Sequence, residues 1–250
     1  MIFSALNAFF LFSCVASALS ANTPVYVNVR VEGDTSTLYD GNVLTKGHVV
    51  HPISGDNHHC DGTNNRAHPI PVPVATAALD DAAMTGNFTW NGPTQSFART
   101  WTPSLDDYFM TQIASVPASP TSLQNWFLYL NYHPAQVGGC QLKVNEGDKV
   151  LWAFGPSAPI ALHLDGPKEV VVKSWNMFHV TDGLNGHPIA GASVEGNRTD
   201  GNGDVWLKFS DIGMKSIKAE NYGSIRSNAL QVNVISELSM SDPEDQTALQ

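Results

Sequence analysis

Short extended segments separated by turns recur along nearly the whole chain, and only one stretch has the composition of a helix. The clearest strand covers residues 25–32, where apolar and polar side chains alternate with the period of two of a half-buried strand. The helix is predicted at residues 74–84, an alanine-rich stretch that follows Pro73 and ends at Gly86. These patterns predict a mainly β fold with one main helix.

The pattern of extended segments changes near Gly166, where we place a domain boundary. Before it, one helix among many short strands indicates a small α+β domain at residues 22–167. In this domain Asp40-Gly41 suggests a tight turn, and residues 108–116 and 140–144 are predicted to be strands. After the boundary, short strands recur about every ten residues with turns between them, which predicts a β-sandwich at residues 168–235.

The start of the chain has the features of a secretory signal peptide. Residues 1–18 contain no charged side chain, residues 8–15 are apolar, and Ala16-Ser17-Ala18 fits the small-x-small pattern of a cleavage site. Cleavage is predicted between residues 18 and 21, and the apolar run is shorter than the about 20 residues that cross a bilayer. The mature chain is therefore expected to be secreted, extracellular or cell-wall associated, without a membrane span, and to end in a disordered acidic tail at residues 236–250.

Charge excludes one class of partner. The chain has 13 basic and 23 acidic residues, a formal net charge of −10. Binding to nucleic acid or to an anionic membrane needs a basic surface, so neither is expected.

Two cysteines remain after the predicted cleavage, because Cys14 lies in the signal peptide. In an oxidising compartment Cys60 and Cys140 are expected to form one disulfide, with two free buried thiols as the alternative. Two glycosylation sequons also remain, at Asn87-Phe88-Thr89 and Asn197-Arg198-Thr199. If the host is eukaryotic, Asn87 and Asn197 are predicted to be glycosylated surface positions.

Several motifs of the first domain occur together in one family. They are the Trp-containing segment at residues 125–131, the Gly147-Asp148 turn and the second Trp-containing segment at residues 150–154. This arrangement resembles the transcobalamin-like C-terminal domain, and with residues 59–64, 106–109 and 137–140 it is similar to secreted fungal members. Asn131-Tyr132 departs from the common Asn-Gly at that turn.

The second domain resembles bacterial-type Ig-like and carboxypeptidase-regulatory-like modules. The resemblance rests on residues 180–194, 199–203 and 225–230. It implies an Ig-like sandwich, a module that usually serves as a spacer or adhesion unit. The predicted fold class is thus mainly β, a small α+β transcobalamin-like domain followed by an Ig-like β-sandwich.

The first resemblance bears on cofactors. In cobalamin carriers the related domain covers one face of the vitamin, while a separate helical domain covers the other. The sequence has no such helical domain, so cobalamin is not expected and no cofactor is predicted.

A histidine cluster raises the alternative of a metal site, since imidazole is a common ligand of transition metals. Its candidate ligands are His48, His51, His58 and His59. Adjacent side chains of a strand point to opposite faces, so His58 and His59 would not share one metal there. The spacing matches no closed zinc motif, and we favour a polar His-rich loop.

Catalytic signatures are absent from the sequence: there is no Gly-x-Ser-x-Gly elbow, His-Glu-x-x-His or phosphate loop. Asp106-Asp107 is better explained as a turn or cap than as an acid pair. We therefore predict a secreted, non-enzymatic binding or cell-surface interaction protein for a small molecule, glycan or protein. A secreted metal-binding protein and a hydrolase with unidentified carboxylates are the alternatives. The candidate ligand-binding residues are Trp126, Asn131 and Trp175, the last flanked by polar residues and expected to be exposed or at the domain junction.

Overall fold

The computed structural model describes residues 22–91, 100–118, 124–155 and 159–237. The fold is mainly β, as predicted, and within these residues there is one α-helix, α1 (Ala75–Gly86), and one short 3-10 helix, Asn64–Arg66. No helix within the described ranges is long and apolar enough to cross a membrane. The predicted signal peptide and the acidic tail after residue 237 lie outside the described residues, so both stay predictions.

Among the described residues before residue 156 there are eleven strands, and five of them form the main sheet in the order β10-β9-β11-β1-β2. Their bounds are β1 Val25–Glu32, β2 Thr37–Thr45, β3 His48–Val49, β4 His59–Cys60, β5 Trp101–Thr102, β6 Asp107–Tyr108, β7 Gln112–Ile113, β8 Val116–Pro117, β9 Asn125–Leu130, β10 His133–Pro134 and β11 Lys149–Gly155. Strands β1 and β11 run parallel, and the other neighbours in this sheet are antiparallel.

One face of the main sheet packs against α1. Val27, Val29 and Val31 alternate along β1, are at most 1% exposed, and join the alanine-rich helix in one apolar core. Small alanine side chains let the helix lie close to the sheet, and its last residue is followed by Asn87, whose left-handed backbone (φ 51°) ends the helix. The helix predicted from the sequence is confirmed.

The remaining nine strands form three small sheets, with the orders β12-β14-β17, β13-β20-β18 and β16-β15-β19. Their bounds are β12 Leu162–Asp165, β13 Glu169–Val171, β14 Trp175–Asp182, β15 Ser193–Val194, β16 Asn197–Arg198, β17 Asp204–Lys208, β18 Gly213–Ile217, β19 Ala219–Glu220 and β20 Leu230–Ile235. A second apolar core lies among them, built on residues such as Phe178 and Val232. Strand β12 lies before Gly166 yet pairs with β14 beyond it, and the division at Gly166 and the Ig-like character stay predictions.

The strands after β11 form what we call the second unit, and they cover the other face of the main sheet. A small apolar cluster joins Tyr129 and Leu151 of the sheet to Ala161 and Ile225. Beside it, the buried carboxylate of Glu32 is held by cations from the second unit, as described below. Both faces of the second half of β1 are therefore buried, whereas Tyr26 in its first half is exposed.

Three local predictions differ from the structure. Asp40 and Gly41 lie in the middle of β2 and not in a turn, because they pair with Arg30 and Val29 of β1 in a continuous antiparallel ladder. Residues 140–144 form a turn followed by a single bridge from Lys143 to Val74. Residues 108–116 contain only two-residue strands, since the chain turns at residues 114 and 115, which have positive φ.

Candidate ligand-binding groove

A groove of about 420 Å³ runs along the edge of the main sheet at β9. Its walls are β9, residues 134–139 and residues 108–110, and its lining is rich in aromatic rings: Tyr108, Phe109, Trp126, Phe127, Tyr129 and Trp152. Phe109 and Val137 at its rim are 46% and 47% exposed. Concave, mainly apolar sites with a few polar groups are the usual form of small-molecule sites.

The alternation of β9 sends aromatic side chains to both sides of the sheet edge. Trp126 lies opposite Phe154 and Leu128 opposite Trp152, on the face that packs toward α1. Phe127 and Tyr129 therefore point the other way. Strand β10 pairs only with the last two residues of β9, so the groove forms beside the first part of the strand.

Trp152 carries the most informative polar atom of the groove. Its side chain is buried, with 5% of the residue exposed, and its indole Nε1 has no hydrogen-bond partner among the described residues. In contrast, Trp90 donates to Asp80 at 2.8 Å and Trp126 donates to the Val116 carbonyl at 3.1 Å. An unpaired buried donor costs about 1–3 kcal/mol, which a ligand acceptor would offset.

Two glycines form the groove wall next to this indole. A Cβ on Gly139 would lie 3.3 Å from Cζ2 of Trp152 and would collide with Oγ1 of Thr76. A Cβ on Gly138 would collide with the carboxylate of Asp107. Side chains are thus excluded here, and the backbone itself forms the surface next to the Trp152 ring.

Asp107 fixes the glycine segment in place. Its carboxylate is 3% exposed and accepts hydrogen bonds from the backbone N–H groups of Tyr108 and Cys140 and from the side chain of Gln141. Burial raises the pKa of Asp107 to about 6, although these donors favour the charged form. Asp106 instead accepts a hydrogen bond from the backbone N–H of Asn65, so the two carboxylates serve different contacts.

The predicted disulfide anchors the same wall and is confirmed. Cys60 of β4 is bonded to Cys140, with their Cα atoms 4.6 Å apart. Because Cys140 follows Gly139 directly, the bond ties the groove wall to the antiparallel strand pair β3–β4.

The three predicted ligand-binding residues lie on different elements. Trp126 lines the groove. Asn131 donates to Asp148 at 2.8 Å and accepts from the Lys149 N–H at 2.9 Å, so its side chain holds the turns at the ends of β9 and β11 together. Trp175 is 61% exposed on β14 of the second unit, where the Lys208 ammonium lies 5.8 Å from its ring centre.

The four histidines separate into two groups. His48 Nε2 lies 3.2 Å from Asp80, and His51 Nδ1 lies 3.6 Å from the same carboxylate. Burial alone would lower the pKa of His48, but hydrogen bonds to Asp80 and to the Lys46 carbonyl, with the charges of Asp80 and Asp81, raise it.

His58 and His59 point elsewhere. His58 stacks on Trp101 with ring centres 3.8 Å apart and contacts Asp56, while His59 is exposed on β4. Among the described residues, no group of three or more His, Cys, Asp or Glu side chains is arranged to hold a metal ion. A metal site at these histidines stays a prediction.

Sequence reasoning missed most of the groove. Of its aromatic lining, only Trp126 was a candidate, because Tyr108, Phe109 and Trp152 come from segments far apart in the chain. One signal was present: adjacent glycines before Cys140 mark a place where the backbone lies close to another group.

Fold and site together define a mainly β, disulfide-bonded protein with an aromatic-lined groove. The family described as a domain of unknown function (DUF4430) matches residues 79–155, which include the last two turns of α1, all of β9 and β11, and the lining of the groove. A solved structure of haptocorrin in complex with Cbi is similar at 17% identity and a TM-score of 0.35, covering 57% of this chain and 28% of that chain. A likeness of this size shows neither the fold nor the ligand of the chain. No curated protein matches the sequence.

Proposed function

We propose that the chain is an exported, non-enzymatic binding protein whose groove along β9 holds a small planar molecule. The unpaired indole N–H of Trp152 is the observation that carries the proposal. Trp152 is one of the aromatic residues that line the groove, where a flat ligand would stack. An acceptor atom at the ligand edge would take the hydrogen bond once the indole N–H turns toward the groove. The ligand class is therefore a planar, mainly apolar ring system with one hydrogen-bond acceptor.

Several features support the wider proposal of a secreted glycoprotein. A disulfide joins Cys60 and Cys140, and such bonds persist chiefly in oxidising compartments. Asn87 and Asn197 are both exposed, as glycosylation requires. The transcobalamin-like character of the first domain and the Ig-like character of the second belong to the same proposal, with the second unit as a spacer or adhesion module.

The test follows the indole N–H signals of the six tryptophans by NMR. The probe is a panel of planar ring compounds in matched pairs, one member with a ring carbonyl or ring nitrogen acceptor and the other without it. Binders with an acceptor should shift the Trp152 signal, assigned from the Trp152→Phe variant, and leave the signal of Trp90 in place. The acceptor-free partners should bind more weakly.

Trp152→Phe should weaken binding of the acceptor compounds by about two- to tenfold, the value of one hydrogen bond, and leave their acceptor-free partners unaffected. Trp206→Phe is the matched control, because Trp206 is 55% exposed on β17 of the second unit. If the panel binds at Trp206, or if no compound shifts the Trp152 signal, the groove is not the ligand site.

A further inference from the structure

A small cavity lies between the main sheet and the second unit. Its volume is about 60 Å³, and its lining includes Asn28, Arg30 and Lys149 from the sheet and Asn228 from the second unit. A buried water needs only about 10–15 Å³ of such space. The cavity therefore has room for several waters or for one species larger than a water.

Arg30 is the group that makes this cavity unusual. The residue is 5% exposed, and its Nη1 has no hydrogen-bond partner among the described residues. A guanidinium carries five N–H donors and stays charged at any physiological pH, so it cannot escape burial by losing a proton. A buried charged donor without a partner is among the most costly features that a folded protein can contain.

The carboxylates near Arg30 are already occupied. Glu32 lies 3.8 Å from Arg30 Nε, but it accepts hydrogen bonds from Lys218 at 2.6 Å and Arg226 at 3.0 Å. Asp40, opposite Arg30 on β2, accepts from Asn28 at 3.2 Å and lies 3.9 Å from Lys218. Four cations therefore face two carboxylates, once Lys149 at the cavity rim is included.

The excess positive charge affects the pKa values of two neighbouring residues, His163 and Tyr132. Burial lowers the pKa of His163, and the charges of Lys149 and Arg30 lower it further, with Asp165 opposing them. His163 packs edge-on against Tyr132, which lines the cavity. Burial raises the pKa of the Tyr132 hydroxyl, and the charge of Arg30 opposes that rise. None of the described residues that line the cavity is acidic.

We propose that the cavity beside Arg30 binds a small monovalent anion, of the size of chloride or formate. The positive charges of the Arg30 guanidinium and the Lys149 ammonium, two of the residues that line the cavity, attract the anion. It lies between β1 and Asn228, so it binds both units at once and stabilises their contact. A sugar or a phosphate ester is too large for this space, which separates the site from the groove along β9.

Thermal unfolding of the full chain tests the proposal. The melting temperature is measured against rising sodium chloride, with sodium gluconate at the same ionic strength as the reference, because gluconate screens charges equally but is too large to enter. Chloride should raise Tm in a saturable way, by about 3–6 °C at roughly ten times its dissociation constant. A formate series distinguishes the sources: a response to formate as well shows that a ligand carboxylate fits, and a response to chloride alone shows a halide site.

Two variants locate the effect. Arg30→Met should abolish the difference between chloride and gluconate, while Arg66→Met, which removes an exposed arginine, should preserve it. If Arg30→Met does not fold, Lys149→Met at the exposed rim should raise the chloride concentration needed, and a bromide-soaked crystal should show an anomalous peak beside Arg30. Equal melting curves in chloride and gluconate, or no bromide peak, mean that water alone fills the cavity.

Discussion

Glu32 offers the sharpest test of how the two units are joined. It is 2% exposed and accepts hydrogen bonds from Lys218 at 2.6 Å, Arg226 at 3.0 Å and Thr37 at 3.1 Å. Glu32→Gln keeps the volume but removes the charge. The part-buried cations Lys218 and Arg226 then lose the carboxylate that they share, and only Lys218 keeps a second one nearby, Asp40 at 3.9 Å. Removing one partner of a buried ion pair costs about 3–5 kcal/mol, since the other charge is left uncompensated.

For a chain of this length, each kcal/mol shifts Tm by about 2–4 °C, so Glu32→Gln should lower it by about 6–20 °C. The unfolding transition measured by scanning calorimetry should also broaden or split in two. The variant weakens the contact between the two apolar cores, which can then unfold separately. Burial lowers the pKa of Lys218, although Glu32 opposes this, so at high pH the variant can lose that proton and part of the penalty.

The matched control is Glu220→Gln, the same change at an exposed residue of β19. It should alter the unfolding free energy by less than about 0.5 kcal/mol. The double variant Glu32→Gln/Lys218→Met should recover part of the loss, since it removes one of the uncompensated cations. If Glu32→Gln is as stable as Glu220→Gln and unfolds in the same single transition, the buried ion pairs do not hold the units together.

Other predictions concern the groove wall and the histidines. The raised pKa of Asp107 means that its folded form binds a proton more tightly than the unfolded chain, so wild-type stability should fall by about 2 kcal/mol from pH 4 to pH 7 relative to Asp107→Asn, as followed by urea unfolding. Replacing Cys60 and Cys140 by alanine should cost about 4 kcal/mol in the same assay, given a separation of 80 residues, and reduction of the wild type should reproduce the loss. The raised pKa of His48 contributes stability below about pH 6.5 that is lost at higher pH. His48→Gln should therefore be most destabilised near pH 5.5 and close to wild type at pH 9. A difference in unfolding free energy that stays constant with pH would contradict an ionic contact with Asp80.

Local patterns predicted the elements well where one short stretch decides them. The alternation of β1 and the alanine-rich composition of α1 are set by neighbouring residues, and both elements lie where the sequence predicts them. The turn expected at Asp40-Gly41 was wrong, because both residues pair with β1 within a continuous strand, where the ring of Tyr39 lies beside Gly41. A glycine needed for contact and a glycine needed for a turn have the same sequence signature.

The groove could be predicted only in part. Trp126 was a candidate. The other segments of the groove are brought together by strand pairing and by the bond from Cys60 to Cys140, and neither tells from the sequence which side chains will share a surface. The unpaired donor of Trp152 is equally hidden, since Trp90 and Trp126 are also buried and do have acceptors. Only coordinates distinguish a satisfied indole from an unsatisfied one.

The alternation of β1 does not reveal whether its polar residues face water or a buried interface. In isolation, Arg30 and Glu32 indicate a face in contact with water, yet they are 5% and 2% exposed. Glu32 pairs with Lys218 and Arg226, which lie 186 and 194 positions away in the sequence, so no local pattern can reveal these partners. Because two charged residues of one strand are buried together and only Glu32 has full partners, this face of the sheet has a specific charge balance to satisfy. The second unit supplies most of that balance, and the cavity at Arg30 marks the place where an anion would supply the rest.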